Sequence, residues 1–355
     1  MMKQSKLILI SILCGIFLLL CGVLVWGIAG LNWRANGHEQ EMAQTAFKDY
    51  KKVLEVEVPA EKIEALNLFF DKNSNDIYFY KSDSEQILIE EYVNWELSEK
   101  EKTKVIEANG MLTLDSPKRD NGIINFGVKN KTGYVNVYLP ESYQGDLTAA
   151  ALSGDIDADI DFILGKKAAF AASTTSGEIL LLKVEAETVD ISSVSGDVDA
   201  DAITGVTDIS TTSGDVDVAA ITGDCDVSTV SGDITINSVT GKADFSTTSG
   251  DVNAENLSGD GKGSTVSGDI RMHFVKVDGD ITINTTSGIV DIYIPENTTV
   301  DFESSTTSGS IDTFFDDDLS FNKKGNHASG TYGDGEAVRM EIYAVSGDVS
   351  VWQSK

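Results

Sequence analysis

Among the aspartates that follow directly on a Ser-Gly pair are Asp155, Asp197, Asp215, Asp233, Asp251 and Asp269. Gly196, Gly214, Gly232, Gly250 and Gly268 succeed one another at intervals of 18 residues, so most of these carboxylates recur at a fixed spacing. Recurring carboxylates can do two things. They can supply the oxygens that a hard cation prefers, here as a ladder of weak Ca²⁺ sites between successive repeats. Alternatively, each can cap its own turn by accepting backbone N–H bonds while staying solvated. The glycine-rich nonapeptide of Ca²⁺-binding β-rolls is absent, and both readings stand at this point. Charge makes the question pointed, since residues 150–310 hold 28 acidic and 7 basic side chains. Two full charges ~4.8 Å apart repel by ~1 kcal/mol even in water, and something must relieve that.

Other chemistry finds little material. The three histidines, His38, His273 and His327, are far apart in sequence and show no metal-ligand spacing. Cys225 occupies an apolar strand position and reads as an inert core thiol. A polysaccharide lyase or hydrolase would need a cleft with perturbed carboxylates and aromatic sugar platforms. Phe245 and Phe274 are the main aromatics of the regular repeats, so a non-enzymatic protein is expected.

The elements that position these aspartates follow from a second glycine series. Gly205, Gly223, Gly241, Gly259 and Gly279 each stand nine residues before the next Ser-Gly glycine, so the unit is a half-coil of nine. In GDVDVAAIT, GDCDVSTVS and GDITINSVT two apolar residues flank one polar residue. That pattern turns one face of a short strand inward, and glycine supplies the positive φ or close approach of a corner. A third inward position is read at Val194, Ile203, Ile221, Val230, Val239, Leu257 and Val266, with Thr212 and Thr248 interleaved. One such strand cannot bury its face alone. Two half-coils must oppose each other and successive coils must stack. The expected fold is all-β, a parallel β-solenoid of about 18 residues per coil, with structural turns at Gly154, Gly196, Gly214, Gly232, Gly250, Gly268 and Gly347. Near-identity at a short fixed period argues against an antiparallel sandwich.

Around this array, residues 53–148 alternate with period two and read as a β-rich leading region of the solenoid, and 149–355 as the repeat itself. Residues 314–336 break the pattern and read as an insertion looping out on one face. At the other end residues 7–29 are uncharged over 23 positions, which at ~1.5 Å per residue covers a bilayer core. A single transmembrane signal-anchor helix is expected there, after a cytoplasmic stretch 1–6 bearing Lys3 and Lys6 and before a helical juxtamembrane stalk 30–52. Cys14 and Cys21 lie within that run, leaving Cys225 alone and excluding a disulfide framework. The formal charge of −30 argues against nucleic acid, whose phosphates need clustered Lys and Arg.

The repeated T-x-S-G-D-[IV] segments, the strand ending VNVYLPE at 135–141, its echo DIYIPE at 291–296, Gly333-Asp334-Gly335 and the closing Ser346-Gly347-Asp348-Val349 resemble the bacterial putative-adhesin family over about residues 53–355. The resemblance implies a β-solenoid on the bacterial envelope, anchored by one N-terminal helix in the cell membrane with the C-terminal domain outside, and no catalytic residues. It also implies a setting sometimes shared with envelope-stress regulators. Gly288-Ile289 and Gly309-Ser310 depart from the pattern by losing the acid. The expected function is an adhesin-like or scaffold module for a cell-envelope protein or glycan, without a cofactor, weakly held Ca²⁺ on the aspartate ladder being the alternative. An envelope-stress accessory protein is the alternative, and a polysaccharide-active enzyme ranks below both.

Overall fold

Apolar residues at alternate positions of short strands gain most by stacking on their own copies, because the same side chains then meet at the same height in every coil. In the computed structural model, which describes residues 49–119 and 131–354, they do so in parallel register. Val198 pairs with Val216, Val216 with Ile234, Ile234 with Val252 and Val252 with Ile270, all at most 1% exposed. The described residues are all-β, wound into solenoid-like coils whose two walls meet at the glycine corners. The strand Ile179–Ser193 shows the winding: residues 179–185 pair with Ile156–Ile163 in one wall, and 188–193 pair with Ala169–Thr174 in the other.

The corners explain the glycines in two ways. At Gly214 a Cβ would lie 2.0 Å from the carbonyl oxygen of Gly196, so the coils can approach only if no side chain is present. At Gly223 the backbone φ is +132°, a region that side-chain-bearing residues rarely adopt.

The third inward position needs correction. Ile203, Ile221, Val239 and Leu257 are buried, but Val194, Val230 and Val266 are 46%, 47% and 48% exposed. In the half-coils that end in Ser-Gly the buried residue stands one place earlier, at Ser193, Thr211, Thr229, Thr247 and Thr265. The cause is backbone hydrogen bonding. A tight buried corner leaves N–H and C=O groups without ladder partners, and the hydroxyls satisfy them. The Gly196 N–H donates to Ser193 Oγ at 2.8 Å, while Thr229 Oγ1 donates to the Gly214 carbonyl and Thr247 Oγ1 to the Gly232 carbonyl, each at 3.2 Å.

Both ends depart from chain order. The strands Ala65–Phe70 and Asn75–Lys81 lie between the rung made by Met111–Asp115 and Gly133–Leu139 and the rung made by Asp146–Ala151 and Ile156–Ile163. Likewise Val338–Ser346 and Val349–Gln353 slip between the coil at 281–294 and the coil formed by Val300–Ser308 and Ile311–Thr313. Each terminal coil is thus paired on both sides. The outermost rungs are covered by antiparallel strands: Gln86–Val93 and Lys51–Pro59 at one end, His327–Tyr332 and Leu319–Phe321 at the other. Antiparallel strands end the row of parallel partners that another chain could extend.

The 314–336 segment therefore does not loop out. It folds onto the last rung, with Phe315 buried against Phe302 and stacked on Tyr332 at 4.9 Å, because an end coil exposes apolar surface that something must cover. The first strand begins at Lys51, two residues inside the expected stalk. The expected anchor at 7–29 and the rest of the stalk to residue 48 lie outside the described residues. Among the described residues no helix is long and apolar enough to cross a membrane.

Candidate functional site

The corner aspartates form a ladder that runs unbroken from Asp197 to Ile289. Each lies on the exposed side of its corner, and Oδ1 accepts the backbone N–H of the residue at the same position in the next coil. Asp215 N–H donates to Asp197, Asp233 to Asp215, Asp251 to Asp233 and Asp269 to Asp251, each at 2.8 Å. The aspartates thus cap not their own turns but the neighbouring ones. Both positions where the acid is lost still supply a donor, Ile289 N–H to Asp269 at 2.7 Å and Ser310 N–H to Asp348 at 2.8 Å, but Ile289 offers no carboxylate to the Asp348 rung beside it. What the next rung supplies is an N–H, which any residue but proline carries. Those donors also answer the repulsion along the row, because a carboxylate accepting a backbone N–H is stabilised in its charged form. At Asp348 the Ser310 N–H and hydroxyl together hold the carboxyl below its ordinary range. Glu178, in the ladder position between Asp155 and Asp197, is pushed up, first by burial and then by those two neighbours. Among the described residues no three His, Cys, Asp or Glu side chains converge as a metal centre requires.

Beside the ladder runs an exposed row that the chain order conceals. In spatial order it reads Thr175, Val194, Thr212, Val230, Thr248, Val266, Thr286, Val345, Thr307. Val345 takes its place between Thr286 and Thr307 because the C-terminal coil is inserted there, and only then does the alternation of threonine and valine hold throughout.

A second row of acids crosses the outside of the other wall. Asp190, Asp208, Asp226 and Asp244 are successive cross-strand neighbours, and the row ends at Lys262, whose Nζ lies 2.6 Å from Asp244. Burial, followed by Asp244 and Asp208, pushes the Asp226 carboxyl up. A raised acid binds more protons folded than unfolded, so its contribution to stability is present below its unfolded value of about 4 and is lost as pH rises through the folded value. Asp226→Asn should therefore melt higher than the parent at pH 7, by the equivalent of about 0.2–1 kcal/mol for one like-charge contact removed. The gain should fade towards pH 4 and in high salt. Melting curves of both proteins at three pH values check this, and an Asn variant no more stable at pH 7 would show that the row is not repulsive.

His273 sits on the outer wall with Nδ1 2.9 Å from a Glu255 carboxylate oxygen and its ring 5.5 Å from that of Tyr293. Tyr293 is in turn the cross-strand neighbour of Trp352, whose Nε1 donates to Asp291 Oδ1 at 3.0 Å. Cys225 is buried, and burial pushes its thiol up to about 12, so it carries no thiolate chemistry at neutral pH. His327 lies in the antiparallel cap, and His38 lies outside the described residues.

The residues that the sequence reading passed over are tyrosines. On the outer wall of the leading region, Tyr92 stacks on Tyr134 at 4.8 Å, Tyr134 meets Tyr78 edge-on at 6.3 Å, and Tyr80 lies 5.5 Å from Tyr138. All five are half-buried. Tyr92 donates to Glu90 at 3.0 Å and Tyr78 to Asp76 at 3.3 Å. Burial raises the phenols of Tyr78, Tyr80, Tyr92 and Tyr138, those of Tyr80 and Tyr92 to about 12, so these four stay neutral donors. The signal was present in DIYFY and YVNVYLP, where period two puts the tyrosines on the outward side. That the two strands are neighbours was not.

Two segments, 65–242 and 236–352, match the Toastrack DUF4097 family model and together span most of the chain. The chain belongs to the Toastrack DUF4097 family. No curated protein matches it. It is similar to a putative adhesin from Parabacteroides distasonis, at 15% identity over 66% of this chain and 96% of that one, with a TM-score of 0.42. A putative adhesin from Parabacteroides merdae is similar at 16% identity over 67% and 95%, with a TM-score of 0.37. A putative cell adhesion protein from Clostridium sporogenes aligns at 12% identity over 86% and 100%, with a TM-score of 0.24. The five tyrosines fall within the first Toastrack segment, and His273, Tyr293 and Trp352 within the second.

Proposed function

We propose that this Toastrack chain is a non-enzymatic interaction module of the bacterial cell surface, held at the membrane by residues 7–29, with its coiled region displayed outside. The supporting observation is the outer surface itself. Side chains of one type recur at one-coil spacing along the corner ladder, while aromatic groups gather near both ends of one wall. Such a surface is rigid before any partner arrives, and rigidity lowers the cost of ordering on binding. Tyrosine and tryptophan suit it, since each offers a large apolar body with a polar tip and few rotatable bonds.

The test is to screen the purified full-length chain, kept in mild detergent, against an array of cell-envelope proteins and envelope glycans. Saturable binding to one of these classes is expected. An array without a single binder, under conditions where the chain is folded, sinks the reading.

A further inference from the structure

Between the tyrosine wall and the nearest corner lies a groove of about 510 Å³. Leu139, Pro140, Leu164 and Leu182 give it apolar lining, and the exposed carboxylates Asp159 and Asp161 stand at it. Its remaining charged groups, Lys81 and Glu141, form an ion pair with each other. The groove adjoins the tyrosines directly, because Tyr80 and Tyr138 are cross-strand neighbours and the residues after them, Lys81 and Leu139, line the groove. Tyr78 is paired across the wall with Asp157, in the strand that carries Asp159 and Asp161.

Aromatic faces carry negative potential, and carboxylates beside them add to it. Together they favour a cation that is broad and weakly hydrated. Guanidinium is such a group, planar enough to stack on a tyrosine while its N–H fork meets a carboxylate, and its three-carbon stem suits an apolar floor. Lysine, compact and strongly hydrated, fits less well. A neutral sugar would draw on the rings but leave the carboxylate potential unused. We infer that the Tyr78–Tyr80–Tyr138 wall and the adjoining Asp159/Asp161 groove form a docking site for an arginine-bearing segment of a partner protein. The site deepens the interaction-module reading and rests on it. The corner ladder is a poorer receptor despite its charge, because its carboxylates each hold a backbone N–H and no aromatic ring adjoins them in the regular coils.

The test uses the full-length chain in mild detergent and a fluorescent peptide of alternating arginine and glycine at near-physiological salt. The peptide is expected to bind. Asp159→Asn/Asp161→Asn, which alters only exposed side chains, should weaken it by roughly tenfold, and Tyr80→Leu/Tyr138→Leu should do the same. Tyr80→Phe/Tyr138→Phe, which keeps the rings, should leave affinity unchanged and guards against a loss caused by misfolding. Asp233→Asn/Asp251→Asn on the corner ladder removes the same charge and should have no effect. Equal weakening by the ladder variant would reduce the binding to general attraction and overturn the site. So would chitohexaose binding that depends on the tyrosines while the arginine peptide fails. If the peptide fails but the envelope array finds a binder, the docking site is wrong and the interaction module stands. An array without a binder removes the module itself.

Discussion

Ile234→Asp is expected to open the coil in which it lies, and Thr235→Asp, one residue along, is expected to leave it closed. Ile234 is fully buried, stacked between Val216 and Val252, with no polar group on that face of the strand to receive a carboxylate. An uncompensated charge there should cost on the order of 3–5 kcal/mol, or somewhat less if the new carboxyl takes a proton to remain neutral. Thr235 points outward between Asp217 and Asn253. An aspartate at that position meets solvent and one like charge, and should cost under about 1 kcal/mol. Since each coil touches only its neighbours, the damage at 234 should first appear in the coils around Gly214 and Gly250 and spare distant ones. Hydrogen exchange on the full-length chain reads this directly. Equal loss of protection in the two variants, or loss only in Thr235→Asp, would show that the inward register is wrong.

The second large effect belongs to the N-terminal end. Glu91 is completely buried on the inward side of Gln86–Val93 and ion-paired with Arg119, itself 2% exposed. Asn75 Nδ2 and Thr103 Oγ1 also donate to the Glu91 carboxylate, at 3.1 and 2.7 Å. Arg119 donates to the Glu101 carbonyl at 2.9 Å and sits 5.8 Å from the Trp95 ring centre. One buried ion pair therefore ties the strand that begins at Asn75, the strand carrying Glu91 and the 94–119 segment together. Arg119→Met keeps the volume but leaves Glu91 buried without its counter-ion, and about 3–5 kcal/mol of stability should go with it. Glu91→Leu/Arg119→Met removes both charges and should recover most of that loss, because an apolar pair of similar size needs no desolvation. Denaturant titration of the parent, both single variants and the double variant measures the coupling. A double variant as unstable as Arg119→Met would place the effect in the hydrogen bonds of Asn75 and Thr103 rather than in the stranded charge.

What could be read in advance, and what could not, separates along a physical line. The stacks at Val198, Val216, Ile234 and Val252 and the corner glycines were legible in the sequence, because a strand with alternate apolar residues and a corner that excludes Cβ are local demands repeated every nine or 18 residues. Val194, Val230 and Val266 misled. Hydrophobicity placed them inside, while the corner's unpaired backbone groups gave the buried place to a hydroxyl one residue earlier. The order of the coils at both ends was beyond local reading. Every coil edge presents the same row of N–H and C=O groups, so the backbone hydrogen bonds alone accept Val338–Ser346 beside either coil. Which place it takes depends on the antiparallel cap that folds onto the last rung, a contact between segments far apart in the chain. The tyrosine wall and the Glu91–Arg119 pair depend on the tertiary structure for the same reason. Period two puts Tyr78, Tyr80, Tyr134 and Tyr138 on the outward side and Glu91 on the inward side, a signal that the sequence reading passed over, and only the packing of the interleaved first coil makes them neighbours.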